Sequence, residues 1–344
     1  MDSITNQQLT MKQKLLLLCG VLFISIASCA QEVVRIGIIG LDTSHSVAFT
    51  ELINGHKRTW ADGFQIVAAY PYGSRTIESS YKRIPDYIEK VKAQGVKIVD
   101  SIDELLKEVD CVLLETNDGN PHLEQAIEVF RAGKPCFIDK PLGATLGDAI
   151  AIYAMAEKYG TTLFSSSALR FTPANQQLRK GEAGEVIGAD CYSPHSPEPT
   201  HPDFGFYGIH GVETLYTILG TGCKAVSRIS TEQGDVVTGE WNDGRIGTFR
   251  AIVKGPHIYG GTAYTVKKAV AAGGYVGYEY LLQEILNYFR TGNVPVSKEE
   301  TIEIFAFMKA SNMSKERGGD VVSIEEAMRA GEKDAKRLIK KYSK

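Results

Sequence analysis

Two segments of this chain carry residue types that move protons. Lys134-Pro-Cys-Phe-Ile-Asp-Lys-Pro141 reads as a short buried strand, Cys136-Phe-Ile, ending in the charged pair Asp139-Lys140, with Pro141 breaking the strand. Open α/β sheets place their ligands at strand carboxyl ends. Lys140 is therefore presented at a mouth, and Pro141 sets the chain direction by locking φ and removing a donor. Further on, Gly208-Ile-His-Gly-Val-Glu213 offers His210 as a proton-transfer partner. A lysine and a histidine facing across a cleft suit oxidation of a sugar hydroxyl. Taken alone, the Asp-Lys pair reads as a solvated ion pair at a strand end, so its meaning depends on what surrounds it.

The elements that must position these residues alternate. β-branched or apolar runs at Val33–Ile39, Phe64–Ala69, Val96–Val99, Asp110–Glu115, Cys136–Ile138 and Thr162–Ser165 read as strands. Helical spacing lies between them, with Ser101-Ile-Asp-Glu104 as a capping box, Pro121 in a first turn and Gly133 at a helix stop. Such alternation predicts a Rossmann-type, doubly wound parallel sheet. From about Ala168 the pattern changes to strands at 186–191, 225–231, 236–238 and 246–253. They are joined by short polar turns, which predicts an α+β part with a largely antiparallel sheet. Helices near 278–291, 299–315 and from Ile324 close the chain.

Residues 116–173 resemble, almost element by element, the Gfo/Idh/MocA family of nicotinamide-dependent sugar and inositol dehydrogenases. The matching residues are Thr116-Asn-Asp-Gly-Asn-Pro-His122, Ala126 and Ala132-Gly-Lys-Pro135, Asp139-Lys-Pro141 and Leu169-Arg-Phe-Thr-Pro173. The family's Glu-Lys-Pro is Asp-Lys-Pro here, and the resemblance extends over most of residues 33–320. It implies a dinucleotide-binding domain at 31–167 and a substrate and oligomerisation domain at 168–344. It also implies homo-oligomers formed through the second sheet. Hydride would pass from a sugar, polyol or related CH–OH compound to NAD or NADP. Lys140 would polarise or deprotonate the hydroxyl, and His210 would be the acid/base. Cofactor contacts would come from Gly37, Gly40, Leu41, Asp42, Ser74, Arg75, Thr116, Asn117, His122, Asp139 and Lys140. Substrate contacts would come from Lys140, Arg170, Tyr207, His210 and Glu213.

Three departures stand out. In Gly40-Leu-Asp42-Thr-Ser-His45, aspartate and histidine occupy the second and third glycine places of G-x-G-x-x-G. A carboxylate there has the wrong sign for a pyrophosphate, and a helix cap is the plain alternative. Tyr70-Pro71 replace the ribose-binding acid, while Ser74 and Arg75 suit a 2′-phosphate, pointing to NADP. Where the family carries an acid orienting the histidine, this chain has Phe206, leaving Tyr207, Asp203 or Asp139 as substitutes. The cluster Cys191, His195, Glu198, His201, Asp203 and His210 fits no metal-ligand spacing, so no metal is expected and a cleft-lining loop is the better reading. Asn120, just before Pro121, reads as a helix cap.

The chain has 344 residues, 43% hydrophobic and 23% charged, with a net charge of −3. That describes a globular protein without a nucleic-acid footprint. Met11-Lys-Gln-Lys14 followed by the apolar run Leu15–Ser28 reads as an export signal within residues 1–30. Ile26-Ala-Ser-Cys29 resembles a bacterial lipobox, which would place a lipid on Cys29; cleavage after Ala30 is the rival. The expected location is the periplasm or the bacterial envelope. Export without a twin arginine, together with Asp42, keeps a second function open: a non-redox, carbohydrate-binding or lyase-like relative that has lost the nicotinamide. A structural or scaffold protein is the third.

Overall fold

The structure, a computed structural model, describes residues 33–55 and 58–343; the export signal and Cys29 lie outside them. The first sheet contains β1 (Val34–Ile39), β2 (Phe64–Tyr70), β3 (Lys97–Ile98), β4 (Cys111–Leu114), β5 (Cys136–Ile138) and β6 (Leu163–Phe164). Its order is β3-β2-β1-β4-β5-β6, and every neighbouring pair is parallel. β4 and β5 are buried along their whole length, as strands covered on both faces must be.

The interleaved helices are α1 (Ser44–Asn54), α2 (Glu78–Tyr81), α3 (Ile84–Lys92), α4 (Ile102–Glu108), α5 (His122–Arg131) and α6 (Leu146–Tyr159). Local chemistry sets their ends. Thr145 and Asp148 form a reciprocal capping box at the start of α6, and Gly160 closes it in the left-handed conformation. At α4, the Ser101 hydroxyl accepts from the Glu104 amide at 3.1 Å, while the Glu104 carboxylate reaches the Asp100 amide at 3.1 Å, one residue before the expected partner.

After α7 (Pro173–Arg179), the second sheet is built from β7 (Val186–Pro194), β8 (Cys223–Ser230), β9 (Gly234–Trp241), β10 (Ile246–Ile252), β11 (Gly260–Thr265), β12 (Ala269–Ala272) and β13 (Val322–Ser323). Its order is β12-β11-β7-β10-β9-β8-β13. Only β7 and β10 pair in parallel, so the sheet is mixed and mostly antiparallel. α8 (Ile209–Leu219) packs against β7 and β10. A Cβ on its Gly211 would lie 2.3 Å from the Phe249 ring, so only glycine lets the helix sit that close and carry His210 to the sheet's edge.

α9 (Glu279–Thr291), α10 (Lys298–Glu316) and α11 (Ile324–Tyr342) complete the chain. α11 returns to pack along α6, with the backbone at Gly331 against Leu146 and that at Gly147 against Asp334. One hydrophobic core joins residues of both sheets, and residues 34–344 form one compact unit. The boundary expected at 167/168 therefore separates the sheets and not the packing.

Candidate active site

β1 and β4 are neighbours although their connections leave in opposite directions, which makes the space beyond their carboxyl ends the ligand crevice of such a sheet. A cleft of about 670 Å³ opens there, running from the start of α1 to the second sheet. Thr43, Ser44, His45, Asn117 and Lys140 line it from the first sheet, and Ser167, Tyr207, His210, His257 and Tyr259 from the other side. Its size and mixed aromatic and polar lining suit a small-molecule site. A hollow of similar volume, about 660 Å³, between α6, α10 and α11 contains no histidine or residue of the two chemical motifs.

Lys140 follows β5, and its ammonium lies 5.7 Å from the centre of the Tyr207 ring. His210 stands in the first turn of α8 among Tyr207 and Tyr259, whose ring centres are 5.7 and 5.6 Å away. Burial, followed by the charge of Lys140, holds its imidazole well below the ordinary histidine range, so it is neutral at neutral pH.

No acid orients His210. Its Nδ1 lies 2.7 Å from the Ser167 hydroxyl, which also accepts the Leu169 amide at 3.3 Å. The hydroxyl keeps a second lone pair and its own proton, so it serves either tautomer: it donates to a bare Nδ1, which leaves the ring proton on Nε2, or accepts from Nδ1–H. A carboxylate would have enforced the Nδ1–H tautomer. Of the three substitutes weighed from the sequence, none acts: Asp203 binds His195, Arg228 and Lys315, Asp139 faces His45, and Tyr207 offers only its ring.

Two expected substrate contacts lie elsewhere. Arg170 is 1% exposed and donates to Glu213 and Glu300, each at 2.7 Å. Glu213 also accepts from the Ser166 hydroxyl and the Ser167 amide at 2.6 and 2.8 Å. This buried ion network fixes the Ser166–Ser167 turn, so Glu213 and Arg170 position Ser167 and are not among the residues lining the cleft.

The expected cofactor residues divide in the same way. A Cβ on Gly40 (φ 91°) would lie 2.6 Å from the Thr116 amide nitrogen, so this glycine is needed where β1 turns beside β4. Gly37 packs on Leu105 and Val109, Leu41 belongs to the core, and the Thr116 hydroxyl is bonded to Gln125 at 2.8 Å. His122 is fully buried, with its ring nitrogens 3.2 Å from the Leu142 carbonyl and 2.7 Å from that of Thr116. These residues hold the strand ends and do not face the cleft. Arg75 is exposed and Ser74 buried, both beside a separate hollow of about 460 Å³.

Asp42 decides whether a dinucleotide fits. Its carboxylate is fully buried and accepts the Ser74 amide at 2.6 Å and the Asn117 amide at 3.0 Å. Burial raises its pKa despite those two bonds. Ser74 is tied further to Asp118, 2.8 Å from its hydroxyl, and Asp118 lies 3.5 Å from His201. Ser74 lines the smaller hollow and Asn117 the cleft, so the Asp42 carboxylate bridges the two where a pyrophosphate would run. An acceptor that occupies the loop amides and carries negative charge does not fit that group. The cap expected at this point belongs to Thr43, whose hydroxyl accepts from the His45 amide at 3.5 Å. Asn120 caps nothing: its side-chain amide donates to Asp118 at 2.8 Å and the Thr200 carbonyl at 3.2 Å.

The histidine-rich loop is dispersed. His195 pairs with Asp203 at 2.9 Å, and His201 accepts the Gly119 amide at 3.1 Å. The sequence offers His45 as a replaced glycine or, with Asp42, as a polar ligand in the cleft, and misses its two carboxylate partners. It lines the cleft with Nδ1 3.0 Å from Asp139 and 3.7 Å from Glu115. Burial opposes charge on His45, yet the Asp139 and Glu115 carboxylates outweigh it and raise its pKa, while burial pushes Glu115 up. Ser167, Tyr259 and His257 were also missed, since a polar run and a loop carry no motif.

Residues 34–167 match the Gfo/Idh/MocA model, described as an oxidoreductase family with an NAD-binding Rossmann fold. The chain is 25% identical over 178 residues to the uncharacterized oxidoreductase YhhX of Escherichia coli (strain K12), covering 47% of this chain and 52% of that one. It is 35% identical over 102 residues to the 1,5-anhydro-D-fructose reductase of Ensifer adhaerens, covering 28% and 30%. The chain thus spans about half the length of the first relative and 30% of the second. The structure of scyllo-inositol dehydrogenase from Lactobacillus casei with bound NAD(H) and scyllo-inositol has the same fold. Its TM-score is 0.67 at 15% identity, over 86% of this chain and 100% of that one.

Proposed function

We propose that the chain, whose residues 34–167 match the Gfo/Idh/MocA oxidoreductase model, is an oxidoreductase of that kind, and that its cleft binds a sugar, polyol or related CH–OH compound and acts at one carbon–oxygen bond. The observation that carries this is the convergence of Lys140 and His210 on one cleft. Lys140 carries the proton to or from the reacting oxygen. His210, in the Nε2–H tautomer that the Ser167 hydroxyl permits, donates a hydrogen bond to the same oxygen and stabilises negative charge there. The tyrosines and Asn117 bind the remaining hydroxyls.

Oxidation with NAD or NADP as the hydride acceptor is the finer form of this reading. The family description and the NAD(H)-bound scyllo-inositol dehydrogenase support it, and Asp42 opposes it. The same two residues serve a second reading, favoured by the buried Asp42 tie: a non-redox, lyase-like enzyme or carbohydrate binder that holds the substrate oxygen without the dinucleotide. Calorimetric titration of the purified protein with NAD(H) and NADP(H) separates them. Micromolar binding to the folded protein supports the dehydrogenase, and no binding at millimolar concentration, with the protein folded, leaves the non-redox reading.

Export belongs to the same proposal, supported by the basic start and apolar run at residues 11–28; fractionation of the cell envelope tests it. Exposed Ile246 and Tyr264, in register on either side of Gly188, support self-association through the second sheet, which sedimentation checks.

A further inference from the structure

Three buried groups meet at the carboxyl ends of β4 and β5 without satisfying one another. Glu115 and Asp139 are fully excluded from solvent. Their four carboxylate oxygens and Nδ1 of His45 make no well-directed hydrogen bond among the described residues, the nearest approach being Nδ1 to Asp139 at 3.0 Å. His45 is also the only ion-pair partner of either carboxylate among those residues. At most one cationic group therefore touches two carboxyl groups in a site that water does not reach, an unfavourable arrangement for their ionised forms. The charge of Lys140, the residue after Asp139, acts on both carboxyl groups without pairing with either, and its ammonium lies over the Tyr207 ring.

The spacing of the three donors matches a shared cation. One donor atom from each residue lies within 4.8 Å of the others, with Nδ1 3.0 Å from Asp139 and 3.7 Å from Glu115. Two ligands held about 2.1 Å from one ion at a tetrahedral angle are about 3.4 Å apart. The observed separations lie on either side of that value. The His45 ring is held by Phe49, stacked at 5.5 Å, and by the edge of Tyr278 at 4.5 Å, which fixes the direction of Nδ1 as outer contacts do at metal sites.

We propose that His45, Glu115 and Asp139 bind one divalent first-row transition cation of the zinc or manganese class. One imidazole nitrogen and carboxylate oxygens are a donor set for such ions, and a divalent charge cancels the two carboxylates. With all donors buried, further carboxylate oxygens complete the shell. The ion joins the start of α1 to the ends of β4 and β5 and forms a floor beneath Lys140, without binding substrate directly. This site does not depend on which reaction the cleft runs.

The purified protein, stripped with EDTA and dialysed, is titrated with Zn²⁺ and Mn²⁺ and followed by metal analysis after gel filtration and by thermal melting. The expected result is about one equivalent of ion retained per chain and a melting temperature that rises with added metal. Both effects should disappear in Glu115→Gln and Asp139→Asn. Retention unchanged in both variants, or neither retention nor a melting shift with either ion, overturns the site. Should the variants fail to fold, anomalous diffraction from metal-loaded wild-type crystals decides. A peak within bonding distance of all three residues upholds the site, and a peak elsewhere or none overturns it.

Discussion

Replacing Asp42 by glycine restores a fingerprint residue and should make this protein less stable. The carboxylate accepts two buried amides, Ser74 at 2.6 Å and Asn117 at 3.0 Å. A buried donor left without a partner costs about 1–3 kcal/mol, so losing both costs roughly 2–6 kcal/mol. Burial of the carboxylate is itself unfavourable, as its raised pKa reports, and removing it returns part of that. A net loss of about 2–4 kcal/mol follows, which for a chain of this length lowers the melting temperature by roughly 3–6 °C. Thermal unfolding followed by circular dichroism measures it. The same change removes a charge opposing any pyrophosphate. At a separation of roughly 5 Å and an effective dielectric of about 20, that repulsion is on the order of 3 kcal/mol, or roughly a hundredfold in Kd. Calorimetry should show NAD(H) binding the variant more tightly than the wild type. A melting temperature within about 1 °C of wild type, with unchanged NAD(H) affinity, would refute the tie between the loops.

Arg170→Met should lose about 3–5 kcal/mol in a denaturant titration, because it leaves Glu213 buried and Glu300 with Arg179 alone. An effect on substrate affinity without a stability loss would return Arg170 to the binding site. Ser167→Asp, whose carboxylate can only accept, should fix the His210 proton on Nδ1 and slow turnover more than it raises KM. Equal effects on the two constants would indicate a merely structural serine. Acidification should destabilise the fold below about pH 4. Burial pushes the Asp203 carboxyl up, but His195, Lys315 and Arg228 outweigh it and hold it well below the usual range. Its contribution is present above the unfolded pKa and is lost as pH falls, so Asp203→Asn should flatten the acid limb of a stability–pH curve.

Much of the architecture is legible in local pattern. The run at residues 146–159 announces α6 through Thr145, Asp148 and Gly160, and the helix observed has those bounds. β11 and β12 are not announced, because Gly260-Gly-Thr-Ala and Ala269-Val-Ala-Ala are poor strand formers held by pairing with their neighbours. At the site, Lys140 and His210 can be found from their segments, since both stand where an element begins or ends. The role of Ser167 cannot, because it depends on the ring of a residue 43 positions away. Arg170 and Glu213 mislead for the same reason: only the tertiary structure shows that they neutralise each other. Asp42 is conspicuous as a misplaced charge, while the two amides it accepts come from loops 32 and 75 residues distant.

The most direct test of the central claim is turnover of a panel of sugars, polyols and their keto derivatives by the purified protein, compared with Lys140→Met and His210→Phe. The panel is run with and without NAD(P), and products are read by mass spectrometry. The account predicts that at least one compound is converted, with a loss of about a hundredfold or more in either variant while the fold is retained. Conversion that persists in both variants, or neither binding nor conversion of any compound, would contradict it.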